Sequence, residues 1–406
     1  MGNNEYYEAT IKLILLLDKN TMKAKRLQGE LWYEIDDMQD LDIAQTLFIE
    51  DDRQRYQYLM KRYGGYWRFP HLQDYCYLVN PYFPTRRMQE EMESNFDTLM
   101  RQYPSGIGVN SLLAAKSFRL HEEHVVLGNG AAELIKCLLE ELHGTLGVIR
   151  PTFEEYANRW GSECVVYDCT QDDFTYSAQQ LIIFFSEHPV DTLVLINPDN
   201  PSGYYMEQSE IETLLQWCKE QNKNLIVDES FLDFADEENA SLLSENILSE
   251  NPNLYVVKSI SKSYGVPGLR LGIMASGNAD MIDALKKRVS IWNINSMAEF
   301  FMQILDKYKA DYENSLREIK AERKCFFESL SQIKSLKVYP SQANYFMCEL
   351  LDGHTSEELV GRFLKKNILV KDLTDKIKNG RQYIRLAIHT NTENKQLVEI
   401  LKEELQ

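Results

Sequence analysis

The chain has 406 residues, enough for two or three domains each with its own core. Forty-four basic against sixty-two acidic residues leave a net charge of −18, which repels nucleic acid and anionic membranes. The seven cysteines are scattered and form no C-x-x-C, which points to reduced thiols rather than a disulfide frame or zinc site.

His121 and His124 lie close together in H-E-E-H, but no second cluster completes a coordination set, so no metal is expected. No secretory leader opens the sequence, and no apolar run reaches the roughly 20 residues of a membrane span. A soluble cytoplasmic protein is expected.

Tyr6 to Leu17 reads as an apolar helix. Leu31 to Phe48 reads as a short strand followed by a helix with an acidic start, where Asp36, Asp37 and Asp40 favour the helix dipole. The next stretch, to about Tyr75, is charged and aromatic and suits a linker helix with Gly64-Gly65 as its hinge. Asn80-Pro81-Tyr82-Phe83-Pro84 is a rigid loop, and a helix is predicted over Arg86 to Met100.

A strict alternation then begins. Strands are predicted at 125–127, 147–149, 164–167, 192–196, 224–227 and 254–260, with helices such as Glu133–Leu142 and Glu207–Gln221 between several of them. That pattern predicts an α/β fold, a mainly parallel sheet covered on both faces, with function at the carboxyl ends of the strands. From Ile282 onward the rhythm changes. A long helical region, Ala298 to Ile333, precedes strands at 336–339, 343–350 and 383–388 and helices at 356–366 and 393–405, which suits a smaller α+β domain. The expected divisions are a tail at 1–50, a linker and part of the small domain at 51–118, a large domain at 119–290 and a small domain at 291–406.

The unusual motifs fall at strand ends. Gly128-Asn129-Gly130-Ala131-Ala132-Glu133 is a small-residue turn opening a helix, a site for a phosphate on free N–H groups. Asn197-Pro198-Asp199-Asn200-Pro201 carries an asparagine, Asn200, whose amide can donate to a phenolate; a proline-rich turn is the competing reading. Asp228 closes an apolar strand, where a carboxylate is costly without a cationic partner such as a protonated pyridine nitrogen; a metal or salt-bridged acid competes. Ser259-x-Ser261-Lys262 follows another apolar run, with Arg270 eight residues on. A lysine there can form a Schiff base with an aldehyde cofactor, and the arginine can grip a phosphate; a solvated loop pair competes. Arg385 stands between apolar residues in a predicted strand, an expensive place for a charge without an anion.

In this order the motifs resemble the fold-type I pyridoxal-phosphate enzymes of the class I/II aminotransferases. The resemblance runs from about Tyr77 to the C-terminus and is nearest to the histidinol-phosphate aminotransferase and threonine-phosphate decarboxylase branch. It implies a large domain with a mostly parallel seven-stranded sheet, a small α+β domain, and pyridoxal 5'-phosphate as cofactor. Lys262 is then the Schiff-base lysine and proton carrier, Asp228 the partner of the pyridine nitrogen, and Asn200 the partner of the ring oxygen. Phe153 stacks on the ring. Gly130, Ala131, Ala132, Ser259, Ser261 and Arg270 hold the phosphate, with Tyr103 from the second subunit of a homodimer. Arg385, Asn344 and Asn80 fall to the substrate.

One position departs from the pattern. A tyrosine that hydrogen-bonds the ring oxygen is replaced by Phe231, which is expected to raise the imine pKa. Residues 31–36, L-W-Y-E-I-D, resemble the end of the cytidylyltransferases that activate choline phosphate or sugars, with Asp36 at the metal-binding aspartate. The resemblance implies an inactive tail over residues 1–50, with an unrelated helical extension as the alternative.

Three functions follow. The first is transamination of a small phosphate-bearing amino acid or keto acid. The second is α-decarboxylation of an O-phospho amino acid. The third is an inactive scaffold for a cytidylyltransferase partner.

Overall fold

The computed structural model describes residues 7–17, 23, 25 and 31–406. Contacts divide the chain into two units, Met1–Phe69 and Pro70–Gln406. The expected boundary near residue 50 lies within the first.

In the first unit the helices run over Tyr7–Leu16, Met38–Leu47 and Asp52–Lys61. Tyr6 lies outside the described residues. The short strand expected near Leu31 does not form: residues 31–35 are irregular and mostly exposed, with no partner strand to satisfy them. The acidic start does cap its helix, because Asp37 Oδ1 accepts from the N–H groups of Gln39 (2.7 Å) and Asp40 (2.9 Å).

The second unit is built on a seven-stranded sheet. Its strands are β1 (Val125–Asn129), β2 (Leu146–Arg150), β3 (Val165–Asp168), β4 (Thr192–Ile196), β5 (Asn224–Asp228), β6 (Leu254–Ser259) and β7 (Leu271–Ala275). Their order is β1-β7-β6-β5-β4-β2-β3, with β7 antiparallel to both neighbours and the remaining pairs parallel. This is the fold-type I architecture that the motif order implied.

The apolar runs are continuous because both faces are buried. Leu195, Val227 and Val256 enter one core cluster, while their neighbours Val194, Ile226 and Val257 enter another. Each strand therefore feeds two layers of helices, and its polar residues collect at its end.

A four-stranded antiparallel sheet forms the small domain. Its strands are β8 (Leu336–Val338), β9 (Tyr345–Leu350), β10 (Lys371–Asp372) and β11 (Gln382–Ala387), in the order β10-β11-β9-β8. Two helices are shorter than expected. Arg86–Met100 splits at Asn95, and the Ala298–Ile333 region is a helix to Ile304, a tighter turn at Leu305–Tyr308, and a helix Lys309–Leu330. No described helix is long and apolar enough to cross a membrane.

Candidate active site

The carboxyl ends of β1, β6, β5 and β4 lie at the same end of the sheet. β6 runs into a single helical turn, Ile260–Ser263, which lifts Lys262 off the sheet. The Lys262 carbonyl accepts from the Asn80 N–H at 2.9 Å, so the preceding loop fastens this turn. Lys262 Nζ lies 3.9 Å from the Phe231 ring centroid and 5.7 Å from that of Phe153. Burial pushes its ammonium down to about 8, opposed by Asp228 and assisted by Arg385.

Asp228, at the end of β5, is 3% exposed. Its Oδ2 accepts from the Tyr156 hydroxyl and its Oδ1 from the Ser230 N–H, each at 2.9 Å. Two donors aim this carboxylate without neutralising it. Asn200 follows β4 and accepts from Arg385 Nη1 at 2.6 Å through Oδ1, which leaves its amide N–H₂ as the group free to donate. Arg385 Nη2 donates to the Cys76 carbonyl at 2.9 Å, and its guanidinium lies 5.3 Å from the Tyr345 ring centroid. Phe231 meets Tyr345 edge-on at 5.1 Å.

The turn after β1 meets Arg270. Gly130 has φ +80°, and a Cβ there would lie 2.5 Å from Arg270 Nη2. Only glycine leaves that space. Gly272 is equally constrained, since a Cβ on it would overlap the Ala131 backbone. Ser261 Oγ accepts from the Leu271 N–H at 3.2 Å, and the Ser259 N–H donates to Ser230 Oγ at 3.0 Å.

A cradle of Gly130, the start of the Ala131–Glu141 helix and Arg270 fits a phosphate. Lys262, Asp228 and the Asn200 amide fit an aldehyde, a pyridine nitrogen and a phenolate oxygen. These residues of the described chain thus fit pyridoxal 5'-phosphate.

The other expected residues are placed as follows. Asn344 is 1% exposed, and neither atom of its amide has a partner among the described residues. Asn80 is buried and its amide is spent inside the protein, donating to the Ser263 carbonyl (2.9 Å) and Ser315 Oγ (3.0 Å). Tyr103 is 77% exposed and stacks on Trp292 at 4.4 Å.

Several residues were not anticipated. Tyr156 gave no signal beyond its place three residues after Phe153. Lys258, a charge inside an otherwise apolar strand, did: it is buried and its Nζ donates to Asp233 at 2.6 Å. Lys371 faces Arg385 directly across β10 and β11. The Lys376 ammonium has no hydrogen-bond or ion-pair partner among the described residues, while its backbone N–H donates to the Leu373 carbonyl. Burial pushes it down to about 8, Arg385 and Lys371 adding and Asp199 and Glu154 opposing.

A family model described as aminotransferase class I and II matches residues 74–401. The chain is 31% identical over 406 residues to a CMP-5'-(3-aminopropyl)phosphonate synthase of Streptomyces rubellomurinus, covering 99% of this chain and 64% of that protein. It therefore spans less than two thirds of that relative's length. It is 32% identical to an L-serine phosphate decarboxylase of Campylobacter jejuni, covering 81% of this chain and 89% of that one. The solved structure of a decarboxylase from Sulfurospirillum multivorans superposes with a TM-score of 0.76 at 32% identity, over 84% of this chain and 91% of that one. Threonine-phosphate decarboxylases and histidinol-phosphate aminotransferases also match.

Proposed function

The chain belongs to the class I and II aminotransferase family, whose cofactor is pyridoxal 5'-phosphate, and from that premise we propose that it decarboxylates a small O-phospho amino acid. The sequence motifs alone put transamination first and decarboxylation second. The relatives support the reverse order, since those of 32–33% identity matched over most of their length are named decarboxylases, while a histidinol-phosphate aminotransferase matches at 24%.

The observation that carries the substrate class is the Lys371–Arg385 pair. Like charges directly opposite on an antiparallel pair destabilise a sheet, and the half-buried Lys376 adds a third cation nearby. Three clustered cations suit a substrate with two anionic groups. In our assignment Arg385 and Asn200 take the α-carboxylate end, and Lys371 and Lys376 take the distal phosphate.

When bound, the cofactor supplies an electron sink conjugated to the substrate Cα. Lys262 holds the proton that replaces the departing carboxyl at Cα, and an amine poised near neutrality can give and regain it. Asp228, aimed by Tyr156 and Ser230, faces the ring nitrogen. Asn200 is the remaining donor to the ring oxygen because Phe231 carries no hydroxyl. Phe231 and Phe153 flank the amine and keep water from it.

The test is incubation of the purified protein with L-phosphoserine and L-phosphothreonine. Release of carbon dioxide with the amino-alcohol phosphate and no keto acid is expected; keto acid formation restores transamination. Lys371→Met should raise KM for the phospho substrate by roughly tenfold, the worth of one charged hydrogen bond.

We also assign a homodimer, supported by the exposed stacked pair Tyr103 and Trp292 and by the apolar Ile291, the last 71% exposed. A monomer that keeps full activity on dilution would refute it. Residues 1–50 are assigned to an inactive cytidylyltransferase-like tail. The similarity to the phosphonate synthase, which runs through them, supports this.

A further inference from the structure

The H-E-E-H pair has no part in the reaction just described. Its turn, Glu122–His124, leads into the start of β1, and the short helix Glu245–Glu250 leads into β6. β1 and β6 run in the same direction, so these segments lie at the end of the sheet opposite Lys262.

The fold brings Glu245 to the two histidines. Glu245 Oε1 is 2.6 Å from His124 Nδ1 and 3.3 Å from His121 Nδ1, and the imidazoles stack with centroids 5.7 Å apart. The three ligand atoms all lie within 4.8 Å of one another. Two imidazole nitrogens therefore converge on one carboxylate oxygen. Without a cation, both nitrogens must carry hydrogen to be satisfied there; with one, all three lone pairs point at it.

The surroundings are those of a ligand set. The His121 N–H donates to Glu245 Oε2 at 2.8 Å, and Ser249 Oγ donates to Oε1 at 2.9 Å; such outer partners orient a ligating carboxylate. The His124 side chain is 11% exposed and that of His121 65%, so the cluster is closed on the protein side and open to solvent on the other.

We propose that His121, His124 and Glu245 bind one zinc-class divalent cation, with water as fourth ligand, clipping the approach to β1 onto the approach to β6. Two imidazoles and one carboxylate suit zinc; calcium and magnesium prefer all-oxygen sets. Tetrahedral ligands about 2.1 Å from zinc are about 3.4 Å apart. The His121 spacing already fits, and the His124 spacing needs to open by less than about 1 Å.

The test is titration of the holoenzyme with zinc chloride in a non-chelating buffer, read by calorimetry and by melting temperature. One equivalent should bind and raise the melting temperature. His121→Asn should weaken binding at least about tenfold, because loss of even an outer partner costs that much. The exposed His121 side chain makes this variant safe for folding, and it separates the site from adventitious zinc on cysteine thiols. Glu245→Gln should behave likewise. Cobalt(II) should give a visible band in the parent that is absent in His121→Asn. No uptake by the parent, or equal uptake by His121→Asn, overturns the proposal.

Discussion

Lys258 and Lys262 stand four residues apart, one in β6 and one in the helical turn that follows it, and live in opposite environments. Lys258 is 4% exposed near the end of β6, and its ammonium meets Asp233 at 2.6 Å. Asp233 is also held by the Tyr312 hydroxyl at 2.8 Å. Burial works against its charge, yet Lys258, Ser263 and Tyr312 together hold its carboxyl below the usual range. Lys262 has no carboxylate within ion-pair distance among the described residues and instead rests over the Phe231 ring. Burial is therefore compensated at one lysine and left to lower basicity at the other. An ion pair makes a brace; its absence makes a reactive amine.

The sharpest way to break this contrast is Lys262→Ala. Loss of proton transfer alone costs about 10²–10⁴-fold, and the covalent link to the cofactor goes with it. Turnover should vanish and the visible cofactor band should shift to that of unlinked pyridoxal phosphate. Asp233→Asn attacks the other half, leaving Lys258 buried and uncompensated. We expect about 3 kcal/mol of lost stability in urea unfolding, with the cofactor band retained.

The contrast also sets a pH dependence. Lys262 titrates near 8 in the fold and near the ordinary lysine value when unfolded, so between these values the unfolded chain binds the extra proton. Stability of the cofactor-free protein should therefore rise with pH across that window and be flat below it. Its rate of capturing added pyridoxal phosphate should climb through about pH 8 to a plateau. A flat rate profile would mean that Lys262 is not held neutral by its surroundings. The smallest change is Phe231→Tyr. Restoring a donor to the ring oxygen should lower the imine pKa by about one unit in a spectrophotometric titration.

Much of this was readable from the chain. Alternating apolar runs located every parallel strand to within two residues, and the polar residue ending each run named Asn200, Asp228 and Lys262 as neighbours, because parallel strands end together. Other features were not readable. The stretch at 31–35 looked like a strand but has no partner to pair with. Asn80 looked available to substrate, but its amide is occupied by Ser263 and Ser315, contacts 183 and 235 residues away. Lys371 carried no signal in the sequence, and only register set it opposite Arg385.

The sequence by itself determined the order of most elements and the strand-end chemistry, since periodicity and turn residues act locally, and its resemblance to a known family implied the cofactor. Only the tertiary structure decided which charges are compensated. Asp233 pairs with Lys258 rather than Lys262, Arg270 closes over Gly130, and Glu245 completes a pair of histidines 121 and 124 residues behind it. Charge interactions depend on distance in space and on burial, and neither is written in spacing along the chain.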